Sequence, residues 1–141
     1  RVLFRSQEKQ PHMLELASSY VERLTGERYT LDILGINKGV ALINNNGERL
    51  ELKFWSSGLA DQVYLALRLA LAKVFSYQVE SLPIILDDIL VRFDENRQRS
   101  ALELLAELGK NQQIWLFTCQ RSVYDMAQSI MGIDCHRLSR S

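Results

Sequence analysis

The stretch Leu82–Leu90 reads LPIILDDIL and places two adjacent carboxylates directly after an unbroken apolar run. The run Ile84–Leu86 is short and continuously apolar, which is typical of a parallel strand covered on both faces. Desolvation and mutual repulsion both disfavour two acids beside such a strand. We therefore interpret Asp87 and Asp88 either as residues at a solvated strand end or as a pair held beside a positive charge.

Downstream of this strand, the pattern predicts further helices and strands in alternation. Asp94 is a good N-cap for the next helix, and Ile114–Phe117 is a second apolar strand. Ser122 and Asp125 resemble a capping box for a helix that continues to about residue 130. A last short strand is predicted at residues 133–138. Strands and helices in this order favour a right-handed parallel α/β layer.

Upstream, apolar residues at helical spacing predict a helix over residues 12–25 that ends at Gly26. The residues before it are interpreted as the last turns of a longer helix. An antiparallel meander of three strands is predicted next, at residues 29–33, 40–43 and 50–54. The stretch Asn44–Gly47 is a strong turn signal between the last two. After Gly58 we expect a long helix that is buried on much of its circumference.

Composition and charge narrow the class of protein without identifying a ligand. The 141 residues are enough for one domain, and the 17 basic and 17 acidic residues cancel, so net charge does not indicate nucleic acid. No apolar run approaches the roughly 20 residues that cross a bilayer, so no membrane partner is predicted. Two distant cysteines without a signal peptide favour a reduced, cytoplasmic protein. Because the chain begins at Arg1 rather than methionine, we expect a piece of a longer protein.

Both predicted buried strands deliver polar groups to one edge of the sheet, where ligands of open parallel sheets lie. Asp87 and Asp88 follow one strand, and Thr118, Cys119 and Gln120 follow the other. These residues could simply begin loops and cap helices. The alternative is a hydrated divalent cation near Asp87, whose charge would make the paired acids tolerable.

A second candidate site precedes the long apolar helix. The stretch FWSSGLADQ, residues 54–62, places Ser56, Ser57 and Gly58 where backbone N–H groups are exposed at the positive end of the helix. Such a turn can bind an anion such as phosphate. Serine and glycine are also common N-caps, so a purely structural role stays open.

Taken in order, these segments resemble the C-terminal half of an ABC-type ATPase head. GLADQVYLALRLAL, LPIILDDILVRFDENR and IWLFTCQ are similar to the SMC-like DNA-repair branch, which includes RecF, RecN, SbcC and, most similar, the YhaN-like proteins. The resemblance covers about residues 12–138. It implies an α/β fold in which parallel strands are flanked by helices and accompanied by the small antiparallel meander. It also implies that residues 1–25 end or join a coiled-coil arm and that residues 26–141 form the C-terminal ATPase lobe.

The resemblance implies a role for each residue of the acidic edge. Asp87 matches the Walker B aspartate that holds Mg²⁺, and Asp88 matches the acid that polarises the attacking water. Asp94 matches the D-loop aspartate, which reaches across a dimer of heads. Gln120 stands at the switch position, where histidine is frequent in the family.

The serine-glycine turn also has a counterpart in the family. Ser56, Ser57 and Gly58 match the signature motif, which closes on the γ-phosphate of ATP bound to the opposite head. Gln62 matches a glutamine with at most a positioning role. Trp55 stands where the signature motif usually has leucine.

The implied function is binding and hydrolysis of ATP, with Mg²⁺, between two engaged heads that drive DNA repair or chromosome-associated remodelling. The sequence contains no G-x-x-x-x-G-K-[ST], so ATPase activity is expected only together with the N-terminal half of the head, the Walker A lobe. The expected partners are that lobe, a second head in a homodimer, DNA and, as the family suggests, a nuclease. The expected location is the cytoplasm, in association with the nucleoid.

Two alternatives stay open. The first is an ATP-gated scaffold that does not hydrolyse ATP, or a DNA-binding or interaction module. Trp55 and Gln120 favour this alternative, and the Asp87–Asp88 pair disfavours it. A phosphoacceptor domain of the receiver type also uses acids at strand ends, but it needs a lysine after a later strand. The last strand region reads IDCHRLSRS and offers only arginines.

Overall fold

The computed structural model describes residues 2–76 and 82–138. Within these ranges the helices are α1 (Val2–Leu24), α2 (Ser57–Ser76), α3 (Glu95–Leu108) and α4 (Arg121–Gln128). The strands are β1 (Tyr29–Leu31), β2 (Ala41–Asn44), β3 (Arg49–Glu51), β4 (Ile84–Asp87) and β5 (Ile114–Phe117). No helix in the described ranges combines the length and apolarity needed to cross a bilayer.

The predicted antiparallel meander is confirmed, since β1 pairs with β2 and β2 pairs with β3. Its tight turn is built by Asn44, whose side-chain Oδ1 accepts the N–H groups of Asn46 and Glu48 at 2.9 Å each. The prediction of strand to residue 54 is wrong, because residues 52–54 form a 3-10 turn in which the Trp55 N–H donates to the Leu52 carbonyl at 3.1 Å. That turn redirects the chain from the sheet into α2.

The predicted parallel pair is also confirmed, with Ile84 opposite Ile114 and Asp87 opposite Phe117. The expectation that both faces are covered is wrong within the described residues, because alternate side chains of β4 and β5 are exposed. The exposed fractions are 57% for Ile85, 47% for Trp115 and 42% for Phe117. One face of the two-stranded sheet therefore packs on the core, and the other is an apolar surface.

The prediction of a third strand at residues 133–138 is wrong, since the structure shows no strand there. Ile133 and Cys135 pack against the core, while Leu138 is exposed. Alternating side chains can produce that burial without backbone pairing, and a strand also needs a partner for its N–H and C=O groups. Side-chain pattern alone cannot supply that partner.

The predicted helices are confirmed, and their ends show which capping signals were correct. Asp94 caps α3, accepting the Arg97 N–H at 2.8 Å. The capping box at Ser122 is wrong, because the N-cap of α4 is Gln120, two residues earlier, and its side chain forms no capping bond. Asp125 instead lies 4.0 Å from Arg121 as an i,i+4 ion pair.

The core lies where α1 packs along α2 and also contacts β1 and α3. Its fully buried side chains come from every layer, and they include Val21, Leu24, Leu42, Leu69, Leu86 and Leu102. Helix α1 ends in left-handed backbone at Gly26 (φ +66°) and Glu27 (φ +63°), which turns the chain back toward β1. This packing fixes the start of α2 beside the loop between β4 and α3.

Candidate functional site

The first part of the candidate site is the acidic edge, where β4 ends. The Asp87 side chain is exposed, and Asp88 is half-buried with left-handed backbone (φ +53°). The Asp88 N–H donates to the Phe117 carbonyl at 2.7 Å, which continues the contact between β4 and β5 by one residue. Aspartate is one of the few residues other than glycine that tolerate this backbone region.

Polar groups after β5 meet Asp88, as the sequence predicted for two parallel strand ends. The Cys119 Sγ lies 3.5 Å from the Asp88 Oδ2, within hydrogen-bond distance for sulfur. The Thr118 Oγ1 accepts the Gln120 N–H at 3.1 Å, which fixes the first turn after the strand. The Asp88 Oδ1 and the Gln120 Oε1 are buried atoms without a hydrogen-bond partner. Buried unpaired acceptors are costly, so these two oxygens are suited to a donor such as water.

The acidic edge fits a hydrated Mg²⁺ ion better than a closed metal cage. Mg²⁺ keeps several waters and binds one or two carboxylates together with substrate phosphates. Asp87 offers an exposed carboxylate, and Asp88 offers an oxygen without a partner. No cluster of three or more potential metal-binding His, Cys, Asp or Glu residues occurs in the described part of the chain.

The second part of the site is the turn before α2. The Ser56 Oγ accepts the Leu59 N–H at 3.1 Å, so the N-cap role weighed from the sequence is present. The N–H groups of Ser57 and Gly58, in the first turn, have no partner within the helix by its geometry. A Cβ on Gly58 would lie 3.1 Å from the Arg92 carbonyl oxygen, so this position admits no larger side chain without a shift.

A groove of about 370 Å³ opens at this turn. Its lining residues come from the start of β1, the start of α2 and the loop before α3: Arg28, Tyr29, Ser56, Gly58, Leu59, Gln62, Arg92 and Asp94. The structure therefore brings Asp94 together with the serine-glycine turn. Asp87, Asp88 and Gln120 do not line the groove. The acidic edge and the groove are two separate surfaces of one chain.

Sequence reasoning missed two residues of this groove, Arg28 and Arg92, and gave a third, Gln62, at most a positioning role through the resemblance. Arg28 and Arg92 contribute its cationic groups, and no motif marks either of them. Gln62 is only 6% exposed, on an otherwise apolar helix face, and its Oε1 has no hydrogen-bond partner. The sequence signal for its place in the groove was a glutamine among apolar residues, one helical turn after Gly58.

Comparison with curated proteins gives a sequence relative. The chain is 34% identical over 122 residues to "Uncharacterized protein YhaN" of Bacillus subtilis (strain 168), a match that covers 84% of this chain. The chain spans only 12% of the length of that relative. No protein-family model matches the chain.

Solved structures give the fold. The SMC head domain from Thermotoga maritima matches with a TM-score of 0.63 and 20% identity, over 82% of this chain and 40% of that one. A chain from a study of ATP-driven dimerization and DNA-stimulated activation of SMC ATPases matches with a TM-score of 0.68 and 17% identity, over 96% and 82%. A Pyrococcus furiosus Smc head bound to the C-terminal domain of ScpA matches with a TM-score of 0.64 and 16% identity, over 89% and 32%.

The chain has the α/β fold of part of an SMC ATPase head, which confirms the resemblance found in the sequence. Its sequence relative is a YhaN protein, as that resemblance also predicted. The alternative of a receiver-type phosphoacceptor domain is wrong, because the chain has the fold of part of an SMC head and not a receiver fold.

Proposed function

We propose that this chain is the C-terminal lobe of an SMC-like ATPase head that hydrolyses ATP between two engaged heads. The observation that carries the proposal is the presence, in one SMC-head fold, of the Asp87–Asp88 edge and of a separate groove at the Ser56–Gly58 turn. Two separate surfaces are what a composite site needs, because each head then completes the site of the other. Residues 1–25 are assigned to the end of a coiled-coil arm and residues 26–141 to the lobe.

In this proposal Asp87 acts through its exposed carboxylate, and Asp88 and Gln120 act through buried oxygens that have no hydrogen-bond partner. Asp88 accepts a proton from the water that attacks the γ-phosphorus, while the bond from that phosphorus to the bridging oxygen breaks and ADP leaves. Asp87 is the Mg²⁺ ligand, and the ion supplies charge neutralisation to the triphosphate when it is bound. Gln120 orients the water or a phosphate oxygen through its amide, which has no charge to offer.

The groove supplies the other half of the composite site. The N–H groups of Ser57 and Gly58 and the Ser56 hydroxyl hold the γ-phosphate of ATP bound to the opposite head. Asp94 lies in the same groove and is placed to contact that head. Engagement of the two heads therefore depends on a triphosphate.

The exposed apolar face of β4 and β5 supports the assignment of this chain as one lobe of a larger head. Ile85, Trp115 and Phe117 form a surface of the kind that is normally covered. We assign the N-terminal Walker A lobe of the same protein as its cover, and a second head as the partner in a homodimer. DNA and a nuclease are proposed as further partners, with a cytoplasmic, nucleoid-associated location.

The test is Asp88→Asn in the full-length protein. Asparagine keeps the shape and tolerates left-handed backbone, so folding is expected to be preserved, while loss of the base lowers steady-state ATP hydrolysis by about 100-fold or more. ATP-dependent association of the variant should persist and last longer than in the wild type. Asp125→Asn, at an exposed acid of α4, is the matched control and should hydrolyse ATP at the wild-type rate. Unchanged hydrolysis by Asp88→Asn would remove Asp88 from the catalytic role.

A second candidate function is an ATP-gated scaffold or interaction module that does not hydrolyse ATP. The uncharged Gln120 at the end of β5 favours it, because an amide cannot carry a proton away from the reacting water. ATP-dependent association of the full-length wild-type protein without phosphate release would favour the scaffold over the ATPase.

A further inference from the structure

We propose that Arg28, which no motif assigns, and Gln62, to which the sequence resemblance gives at most a positioning role, help the groove to distinguish a nucleoside triphosphate from a diphosphate. The inference rests on the proposed function, because the triphosphate is presented by the opposite head. Arg28 contacts the terminal phosphate as a cation, and Gln62 hydrogen-bonds it from the floor of the groove. Both are positioning and specificity residues and take no part in the proton transfer.

Gln62 indicates that the groove takes a polar ligand. Its side chain is 6% exposed, lines the groove, and leaves the Oε1 without a hydrogen-bond partner. A buried amide oxygen without a partner costs free energy, so a ligand that forms a hydrogen bond with this amide gains from contact with it. Rotation about the last side-chain bond exchanges the oxygen and the NH₂ group, so the same residue can donate to a phosphate oxygen.

The charges around Gln62 indicate that this ligand is an anion. The Arg28 Nε donates to the Thr25 carbonyl at 3.3 Å, and its guanidinium lies 6.0 Å from the centre of the Tyr29 ring, which holds the group at the start of β1. Among the described residues, no acid forms an ion pair with Arg28. Its charge is therefore available to the groove.

The other charged groups of the groove are already engaged. Arg92 lies 3.7 Å from the Asp61 carboxylate, a loose pair that leaves its remaining N–H groups for a ligand. Asp94 is the one acid of the lining, and its Oδ1 is occupied by the Arg97 N–H at 2.8 Å. Because Asp61 balances much of the charge of Arg92, the unpaired charges left in the groove are Arg28 and the positive start of α2 against the capping Asp94, which favours an anionic group such as a phosphate.

The position of Gln62 makes it sensitive to the terminal phosphate rather than to the whole nucleotide. Gln62 lies one helical turn beyond Gly58, on the same face of α2, so a phosphate held at the serine-glycine turn lies next to it in the groove. A phosphate held at that turn is the part of a nucleotide that extends furthest into the groove. A diphosphate on the opposite head lacks this group, so Arg28 and Gln62 would remain without their ligand.

The experiment measures head association in the full-length protein with a non-hydrolysable ATP analogue, by sedimentation, and binding of fluorescent ATP to single heads at low protein concentration. Gln62→Glu places a negative charge on the groove floor, and Arg28→Gln removes the cation. Each should weaken analogue-dependent association about ten- to 100-fold, since charge-assisted hydrogen bonds are lost, while binding to single heads stays unchanged. Arg99→Gln, at an exposed arginine of α3 outside the groove lining, is the control and should associate like the wild type.

The outcomes separate this inference from the proposed function. If the wild type associates with the analogue and both variants do so equally well, the inference is wrong and the composite site stands. Tighter association of Gln62→Glu would show that a cation or donor from the other head enters the groove, which also overturns it. If the wild type binds no ATP and never associates, the proposed function fails, and the inference fails with it. Arg28 is exposed, so Arg28→Gln still tests the inference even if Gln62→Glu does not fold.

Discussion

At the scale of single residues, several side chains of this chain hold the backbone rather than face a ligand. Asp32 is the clearest case: its carboxylate accepts the Gly35 N–H at 3.0 Å and the Arg49 Nε at 2.8 Å. These bonds tie the loop after β1 to the start of β3. The hydrogen bond from Arg49, followed by that from the Gly35 N–H, holds the pKa of Asp32 below its ordinary value of 3.8.

The lowered pKa of Asp32 predicts how stability depends on pH. As the pH falls, the unfolded chain takes up the proton first, so the stabilisation is complete above about pH 4 and decreases below it. Urea unfolding between pH 2 and 6 is expected to show a smaller loss on acidification for Asp32→Asn than for the wild type. Asp134→Asn, at an exposed acid, should keep the wild-type pH dependence. Identical curves for Asp32→Asn and the wild type would contradict the role of Asp32.

At the scale of elements, the end of α1 shows how one side chain can join a helix to a sheet. Thr25 is fully buried, and its Oγ1 donates to the Val21 carbonyl at 2.7 Å. The same Oγ1 accepts the Tyr29 N–H, the first of β1, at 3.2 Å. The hydroxyl therefore satisfies groups on both sides of the left-handed turn at Gly26.

Thr25→Val is expected to destabilise the fold by about 1–3 kcal/mol, because the shape is kept while the Tyr29 N–H loses its partner in a buried place. Urea denaturation followed by circular dichroism measures the change. Thr30→Val in β1, where the side chain is only half-buried, is the control and should change stability by less than about 0.5 kcal/mol. If Thr25→Val lowers the free energy of unfolding no more than Thr30→Val does, then water replaces the Thr25 hydroxyl as the partner of the Tyr29 N–H.

The elements also show which parts of the structure were readable from the sequence. Residues 12–25, Asp94 and the Asn44 turn carry local signals, namely helical periodicity, an N-cap and a hairpin turn, and each was predicted correctly. The strand at residues 133–138 was wrong because a strand depends on a partner that lies beside it in space, and the capping box at Ser122 was wrong because α4 begins before that residue. The burial of Trp115 and Phe117 was overestimated for the same reason, since an apolar run does not reveal whether its cover belongs to the same stretch of chain.

Only one of the two parts of the candidate site, the acidic edge, was predictable from the sequence. The meeting of Asp88 with the residues after β5 followed from one topological rule, that parallel strands end at the same edge. The groove did not, because Arg28, Gln62 and Arg92 are far apart in sequence and only the packing of α1, α2 and the loop before α3 brings them together. The assignment of Asp87, Asp88, Gln120 and the signature-like turn to ATP chemistry stays a prediction.

At the scale of the whole molecule, the two-stranded sheet of the chain has one face packed on the core and one exposed apolar face. Leu86 of β4 is fully buried and Ile114 and Leu116 of β5 are partly buried against the core, while Trp115 on the opposite face of the sheet is 47% exposed. An exposed apolar surface of this kind favours aggregation of an isolated chain, and it favours binding where a partner covers it. The stability of this lobe should therefore depend on its context.

Trp115→Glu tests that dependence. In this chain alone the cost should stay below about 1 kcal/mol, because the new carboxylate reaches water. In the full-length protein, where we assign the N-terminal lobe as the cover, the same change should cost about 2 kcal/mol or more, since the charge becomes buried without a partner. Met131→Glu, at a side chain that is 93% exposed, should be tolerated in both contexts. Equal costs for Trp115→Glu in the two contexts, measured by thermal unfolding, would show that this face stays open.

The length of α1 means that a small tilt at its buried end moves its other end by a larger distance. The helix runs from Val2 to Leu24, but its fully or nearly fully buried side chains among the described ones lie between Ala17 and Leu24. Met13, Leu14 and Leu16 also pack against the core, so the helix ahead of this packed region is residues 2–12. These residues span about 16 Å, so a tilt of about 10° at the packed region would move the far end by about 3 Å. The buried end of α1 packs on α2, and Arg23 donates a hydrogen bond to Glu107 of α3 at 2.7 Å. A small reorientation of α2 or α3 would therefore produce a larger displacement at the far end of α1.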